Sequence, residues 1–348
     1  MRPTQKVLAR RGFLVAAITA PALAGCSGQR RIAIGEREAY TPPPPGIDEI
    51  YRTDLLQSVT DFASNLAKTE SRGDFPSFLA AALTTHQRAL RTGAEQEETA
   101  SAEAKESSRT TAASAAPGSS SKIPAEKAMA ESARSLAALR DLYAQAAIQV
   151  SGDFADLCAS GAAWAEWAAS RLAHRAHEAK IEGVSGPEQF TDAEPSRAVP
   201  KIDPPEPAEA SLIEVPLQRA QEDENFAAYA LEVAATRVEK ERRDSYVKAA
   251  RSHAARAEEF GKVSERLGFE PVAREAGYAL PRPLDAKKAA EMRIDITSRS
   301  LANAVELVGL APFGERAPFL FAALESAKSL EPLHERLAPF PGIDAGDD

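Results

Sequence analysis

The chain has 348 residues, a formal net charge of −9 and two cysteines. That acidic balance argues against nucleic acid and against electrostatic attraction to anionic lipid. There is no Walker loop, nucleophile elbow, Cys-x-x-Cys or dinucleotide-binding glycine fingerprint, so those enzyme classes have nothing to rest on.

The N-terminus carries the clearest address. Arg10 and Arg11, followed by Gly12-Phe13-Leu14, read as a twin-arginine export motif, with Arg2 and Lys6 upstream. The apolar run from Phe13 to Leu23 is shorter than the roughly 20 residues a spanning helix needs. Leu23-Ala24-Gly25-Cys26 then matches a lipoprotein processing box. Small residues before the cysteine suit the peptidase, and the Cys26 thiol takes the lipid. Removal of residues 1–25 deletes four cations and takes the formal charge to −13. The expectation is a chain held at the extracytoplasmic face of the cell membrane by the lipid on Cys26. Stable anchoring needs at least two acyl chains, which one lipidated cysteine can carry. With Cys26 acylated, Cys158 has no disulfide partner and reads as a small core residue.

Residues 26–46 form a spacer, with Pro42 to Pro45 favouring an extended rod. Residues 47–180 read as a helical bundle. Its helices span about 47–69, 75–91, 125–150 and 153–180. The first carries Ile50, Leu55, Val59, Phe62 and Leu66 at helical spacing. Between the second and third lies a low-complexity insert, 92–124, rich in Ala, Ser, Glu and Thr. Residues 186–216 hold seven prolines and read as a semi-rigid linker.

Residues 217–330 read as a second bundle. A helix over about 217–241 carries Ala227, Leu231, Ala234 and Val238 on one face. A second helix carries Tyr246, Ala250, His253, Ala257 and Phe260, and Gly268 stops it. The stretch from Phe269 to Asp285 holds Pro271, Pro281 and Pro283 and cannot be continuous helix. Extended chain gains about 3.3 Å per residue, so this crossover can run the length of a bundle. Two more helices follow, one with Ile294, Leu301 and Val308, one with Phe319, Leu320 and Leu324. Residues 331–348, with Pro332, Pro339 and Pro341, read as a fraying tail.

Glu224-Asn225-Phe226-Ala227-Ala228-Tyr229, then Ser252-His253-Ala254, then Tyr278-Ala279-Leu280-Pro281, resemble a family of ferritin-like four-helix-bundle domains. That family occurs in twin-arginine-exported bacterial lipoproteins. The resemblance covers about residues 216–330. It implies an all-α, ferritin-like fold for the C-terminal half and brings no activity with it. The first half repeats the helix order, with His86 and His253 in the two second helices and Glu131 and Glu291 early in the two third helices. This is the pattern of a degenerate duplication. Any two helical bundles share such patterning, and eight helices can also pack as one larger domain.

A di-iron site of the ferritin-like kind needs two single glutamates and two Glu-x-x-His pairs. Here Ala250 precedes His253 at that spacing and Leu83 precedes His86. The remaining metal candidates are Glu224, His253, Asp295 and Glu325. His174 and His177 share a helix face, but cations also favour a helix C-terminus. Glu331 and His334 have the right spacing with Pro332 between them. A buried His253 could instead simply hydrogen-bond Glu224.

The reading that follows is an exported, lipid-anchored helical protein of the cell envelope with a non-catalytic binding or scaffolding role and an envelope protein as a candidate partner. The alternative is a degenerate metal-binding or oxidase-type protein holding iron or manganese. A third possibility is an apolar small molecule held between helices.

Overall fold

The computed structural model describes residues 44–69, 74–93, 95–96, 125–191 and 194–343. Arg10, Arg11, Cys26 and nearly all of the low-complexity insert lie outside the described residues. Among the described residues there are eight α-helices, a 3-10 turn at Phe313–Glu315 and no β-strand. The helices are α1 (Ile47–Ala67), α2 (Asp74–Leu90), α3 (Ala125–Gln149), α4 (Gly152–Glu178), α5 (Ala210–Ala234), α6 (Lys240–Arg266), α7 (Ala286–Leu310) and α8 (Arg316–Leu330). The all-α class read from the sequence is the class observed.

Periodicity explains most of these helices. α1 buries Ile47, Tyr51, Leu55, Val59, Phe62 and Leu66, spaced by three or four residues, and leaves the rest half-buried or exposed. α4 differs: from Phe154 to Leu172 nearly every position is buried, including Trp164 and Trp167. A helix apolar on all sides belongs in the middle of a fold. α4 lies against α3 on one side and against α7 and α8 on the other. One core cluster therefore runs through both halves. The described residues all fall in one compact unit.

Each half pairs its helices in the same order: first with second, first with third, third with fourth. In the first half, large rings bridge α2 and α4: Phe78 and Trp167 lie 5.8 Å apart and His86 and Trp164 4.6 Å apart. In the second half, Phe260 and Phe319 bridge α6 and α8 at 5.1 Å, but only near one end.

Two features depart from expectation. α5 begins at Ala210 rather than 217, runs through Pro216, and ends at Ala234 rather than near 241, with a turn at 235–238 before α6. Pro216 forfeits one backbone hydrogen bond, but the burial of Ile213 and Leu217 on the same face offsets that loss. The fraying expected after residue 330 fails for 331–343. The Phe340 ring sits 4.3 Å from that of His86, Ser160 Oγ donates to the Pro341 carbonyl at 2.7 Å, and Ile343 packs on the core.

The crossover also has a seat. The Tyr278 ring packs on Phe226 at 5.8 Å and on Tyr229 at 5.5 Å, both from α5. The backbone N–H of Val272 donates to Gln221 Oε1 at 2.8 Å.

Two close contacts lock the halves. A Cβ added to Gly152 in α4 would meet the Gly309 carbonyl oxygen of α7 at 2.7 Å. Arg316, with no exposed surface, opens α8. Its Nη1 donates to the Ala147 carbonyl at 3.1 Å and the Val150 carbonyl at 2.5 Å, and its Nε to the Ala311 carbonyl at 3.1 Å. Burial lowers its pKa to about 10, so it keeps its charge at neutral pH. Carbonyls at a helix C-terminus lack intrahelical partners and attract cations.

Gly152→Ala forces α4 and α7 apart and is expected to cost about 1–3 kcal/mol. Gly314→Ala, where an added Cβ meets nothing within 4 Å, is expected to stay within about 0.5 kcal/mol of wild type. Urea denaturation followed by circular dichroism checks both.

Candidate functional site

Buried polar residues divide the core of the second half. On α5, Ala220 belongs to the main cluster, Glu224 follows one turn on, and Ala227 begins a second, smaller cluster. On α6 the order is Ala250, then His253 and Arg256, then Phe260; on α7 it is Ile296, Ser300, Ala304. A spacing of three or four residues on each helix stacks these groups in one layer.

The layer is closely bonded. Glu224 Oε2 lies 2.6 Å from His253 Nδ1 and accepts from Arg256 Nε at 3.1 Å. Its Oε1 accepts from Ser300 Oγ. Arg256 Nη1 reaches outward to Glu325 Oε2 at 3.1 Å, and Nη2 lies against the His253 ring, 2.7 Å from Nδ1 and 3.4 Å from Nε2. Burial acts to raise the Glu224 pKa, but the Arg256 charge and the His253 hydrogen bond outweigh it and hold the value at about 2. Burial, joined by Arg256, lowers the His253 pKa against the pull of Glu224. At neutral pH the layer therefore holds a carboxylate, a guanidinium and a neutral imidazole. With Glu224 ionised, the imidazole proton belongs on Nδ1 and is donated to it.

Three of the four metal candidates thus come together, but through Arg256. Asp295 is exposed on α7 and takes no part. The sequence reading missed Arg256, though it stands three residues after His253 on the same helix face. It also missed Ser300. Each Glu224 oxygen is already hydrogen-bonded, and a fixed cation sits between Glu224 and Glu325. No group of three or more His, Cys, Asp or Glu among the described residues is placed to hold a metal ion. These donors do not fit an iron or manganese centre. His174 and Arg171 each reach Glu331 at 3.1 Å, which ties α4 to the start of the tail.

Above the layer, α6 and α8 diverge and leave a cleft of about 520 Å³. Its walls include Lys248, His253 and Arg256 of α6, Arg293 of α7, and Phe321, Leu324, Glu325 and Lys328 of α8. Arg140 and Glu166 of the first half, with Phe190 of the segment that follows it, close the cleft. Arg140 Nη1 donates to Glu166 Oε2 at 2.7 Å and to the Glu188 carbonyl at 2.8 Å, and both side chains are buried. Burial raises the Glu166 pKa, and Arg140 offsets part of that rise.

Residues 216–345 match the profile of a family described as a domain of unknown function, DUF4439. No curated protein and no solved structure matches the chain. The matched segment supplies the polar layer and three helices of the cleft; Arg140, Glu166 and Phe190 lie outside it.

Glu224→Leu leaves the Arg256 guanidinium without its buried partner and is expected to cost about 3–5 kcal/mol. The double variant Glu224→Leu/Arg256→Met is expected to recover much of that loss in urea denaturation. Stability should also fall on acidification. Folding depresses the His253 pKa, so the unfolded chain takes up a proton first, below about 6.5, and folding weakens there. His86, held at about 3 chiefly by burial, acts in the same sense over the window from 6.5 to 3. The Glu224 contribution is complete above 4.5 and is lost as pH falls toward 2. A pH series of denaturation midpoints checks the slope, which should be smaller in His86→Phe.

Proposed function

We propose that the protein is an exported, lipid-anchored helical binding protein of the cell envelope, without catalytic activity, and that the cleft between α6 and α8 is where its ligand or partner engages it. One observation carries the non-catalytic reading. The reactive-looking groups of the second half are tied together rather than aimed at open space, His253 and Arg256 both donating to Glu224. A general base needs a lone pair within reach of a substrate proton, whereas Arg256 Nη2 lies over His253 Nε2 at 3.4 Å. The repeated pairing order and long crossover support a ferritin-like ancestry in which a core polar site has become structural.

The anchor rests on the Arg10-Arg11 motif and the box ending at Cys26. No helix among the described residues is long and apolar enough to cross a membrane, so the proposed membrane bond is the lipid.

Wild type is expected to be processed and to incorporate labelled palmitate, and Cys26→Ala to do neither. Normal processing and labelling of the variant would sink the anchor assignment. Elemental analysis of the folded protein should give far less than one iron or manganese per chain; a stoichiometric metal would overturn the binding-protein reading.

A further inference from the structure

We propose that the cleft between α6 and α8 binds a small organic phosphate, its oxyanion held by Lys248, Arg293 and Lys328 and its apolar part lying on Phe190, Phe321 and Leu324. This rests on the reading of the cleft as a binding site and adds the chemical class of the ligand.

The charge balance is the first observation. The protein is acidic overall, yet five cations line this cleft: Arg140, Lys248, Arg256, Arg293 and Lys328. They face two lining carboxylates, Glu166 and Glu325. Adding Glu224 beneath the floor still leaves an excess of two positive charges. Arg140 and Arg256 are committed to carboxylates. Lys248 and Lys328 are exposed, and neither makes an ion pair within 4 Å among the described residues, although the Lys328 charge is felt by Glu166. Two exposed ammonium groups without a direct ion pair, flanking one cavity, attract an anion from both sides.

Arg293 adds a fixed donor. Its guanidinium carbon lies 4.8 Å from the centroid of the Tyr246 ring, and its Nη1 donates to Ser245 Oγ at 3.1 Å. A guanidinium held in place can present its remaining N–H groups to an oxyanion with little ordering cost.

The remaining wall is apolar. The rings of Phe190 and Phe321 lie 6.2 Å apart, and Leu324 lines the same cavity. A cavity of about 520 Å³ falls in the range of small-molecule sites, which combine apolar walls with a few polar groups. A purely inorganic anion would leave that wall wet.

The comparison of the halves makes this cavity a built feature. In the first half, Phe75, Phe78 and the two tryptophans fill the gap between the second and fourth helices. The corresponding gap in the second half is filled near Phe260 and Phe319 and left open above the polar layer.

The test is isothermal titration of the full-length chain at low salt with phenyl phosphate, inorganic phosphate and benzyl alcohol. Phenyl phosphate is expected to bind at least about tenfold tighter than either fragment probe, a difference of about 1.4 kcal/mol. Lys248→Glu and Lys328→Glu should each weaken it about tenfold, while Lys262→Glu, on α6 outside the cleft, should leave it unchanged. All three lysines are exposed, and circular dichroism verifies that the variants fold. Failure of phenyl phosphate to bind overturns the proposal. So does binding that the two cleft variants leave intact. Benzyl alcohol binding as well as phenyl phosphate also overturns the phosphate class, while leaving the cleft a binding site. Vesicles containing phosphatidic acid separate the sources: displacement of bound phenyl phosphate assigns a lipid headgroup, and no displacement assigns a soluble ester, the proposal standing in either case.

Discussion

Arg316 is the constraint on which the arrangement of the helices depends. A guanidinium with no exposed surface is costly to bury, and it is tolerated because carbonyls at the end of α3 and before α8 need donors. It fixes the start of α8 against the first half. α8 then lies on α4 and α7 rather than closing on α6. The opening between α6 and α8 follows from that placement. A bundle whose fourth helix packed fully on its second would have no cleft.

The polar layer depends on the same geometry. Glu224, His253 and Arg256 are nearly dry, and removing any one would leave a buried charge or donor without a partner. Arg256 resolves the conflict by spanning the layer, with Glu224 inside and Glu325 at the cleft. Such a network is weak evidence for added stability. Its effect is on register, because a helix sliding by one turn would bring Glu224 against apolar groups.

Much of the fold was legible in the sequence, for identifiable reasons. α1 and α6 carry apolar residues at three- and four-residue spacing, and the prolines between 269 and 285 exclude a helix there. The start of α5 was misread because Pro216 looked like a linker residue. The stripe of Ile213, Leu217 and Ala220 was the better signal. The tail was misread because its prolines suggest fraying, while the pocket beside His86 that receives Phe340 is created only by tertiary packing. At the site, pattern could place Glu224 and His253 inward, but not the partner between them. Arg256 looks like an ordinary surface cation until α8 brings Glu325 beside it. Asp295 failed as a candidate for the converse reason: it lies at the edge of the stripe on α7, and the helix turns it to solvent.

The extent of the family match bears on what the two halves do for each other. The matched segment, 216–345, contains α6, α7 and α8, yet much of the buried surface of α7 and α8 belongs to a cluster that continues into α3 and α4. Taken alone, the segment would expose residues such as Phe319, Leu320 and Val308 that are fully buried here. Some surface must cover that face, and in this chain α4 does so, with Gly152 allowing the closest approach to α7. The same face-to-face packing carries Arg140 and Glu166 to the cleft, where Phe190 of the following segment joins them. The first half therefore covers the apolar side of the second and completes the wall of its candidate site. A cleft shared in this way can differ between chains that carry the same matched segment, because part of its lining is not encoded in that segment.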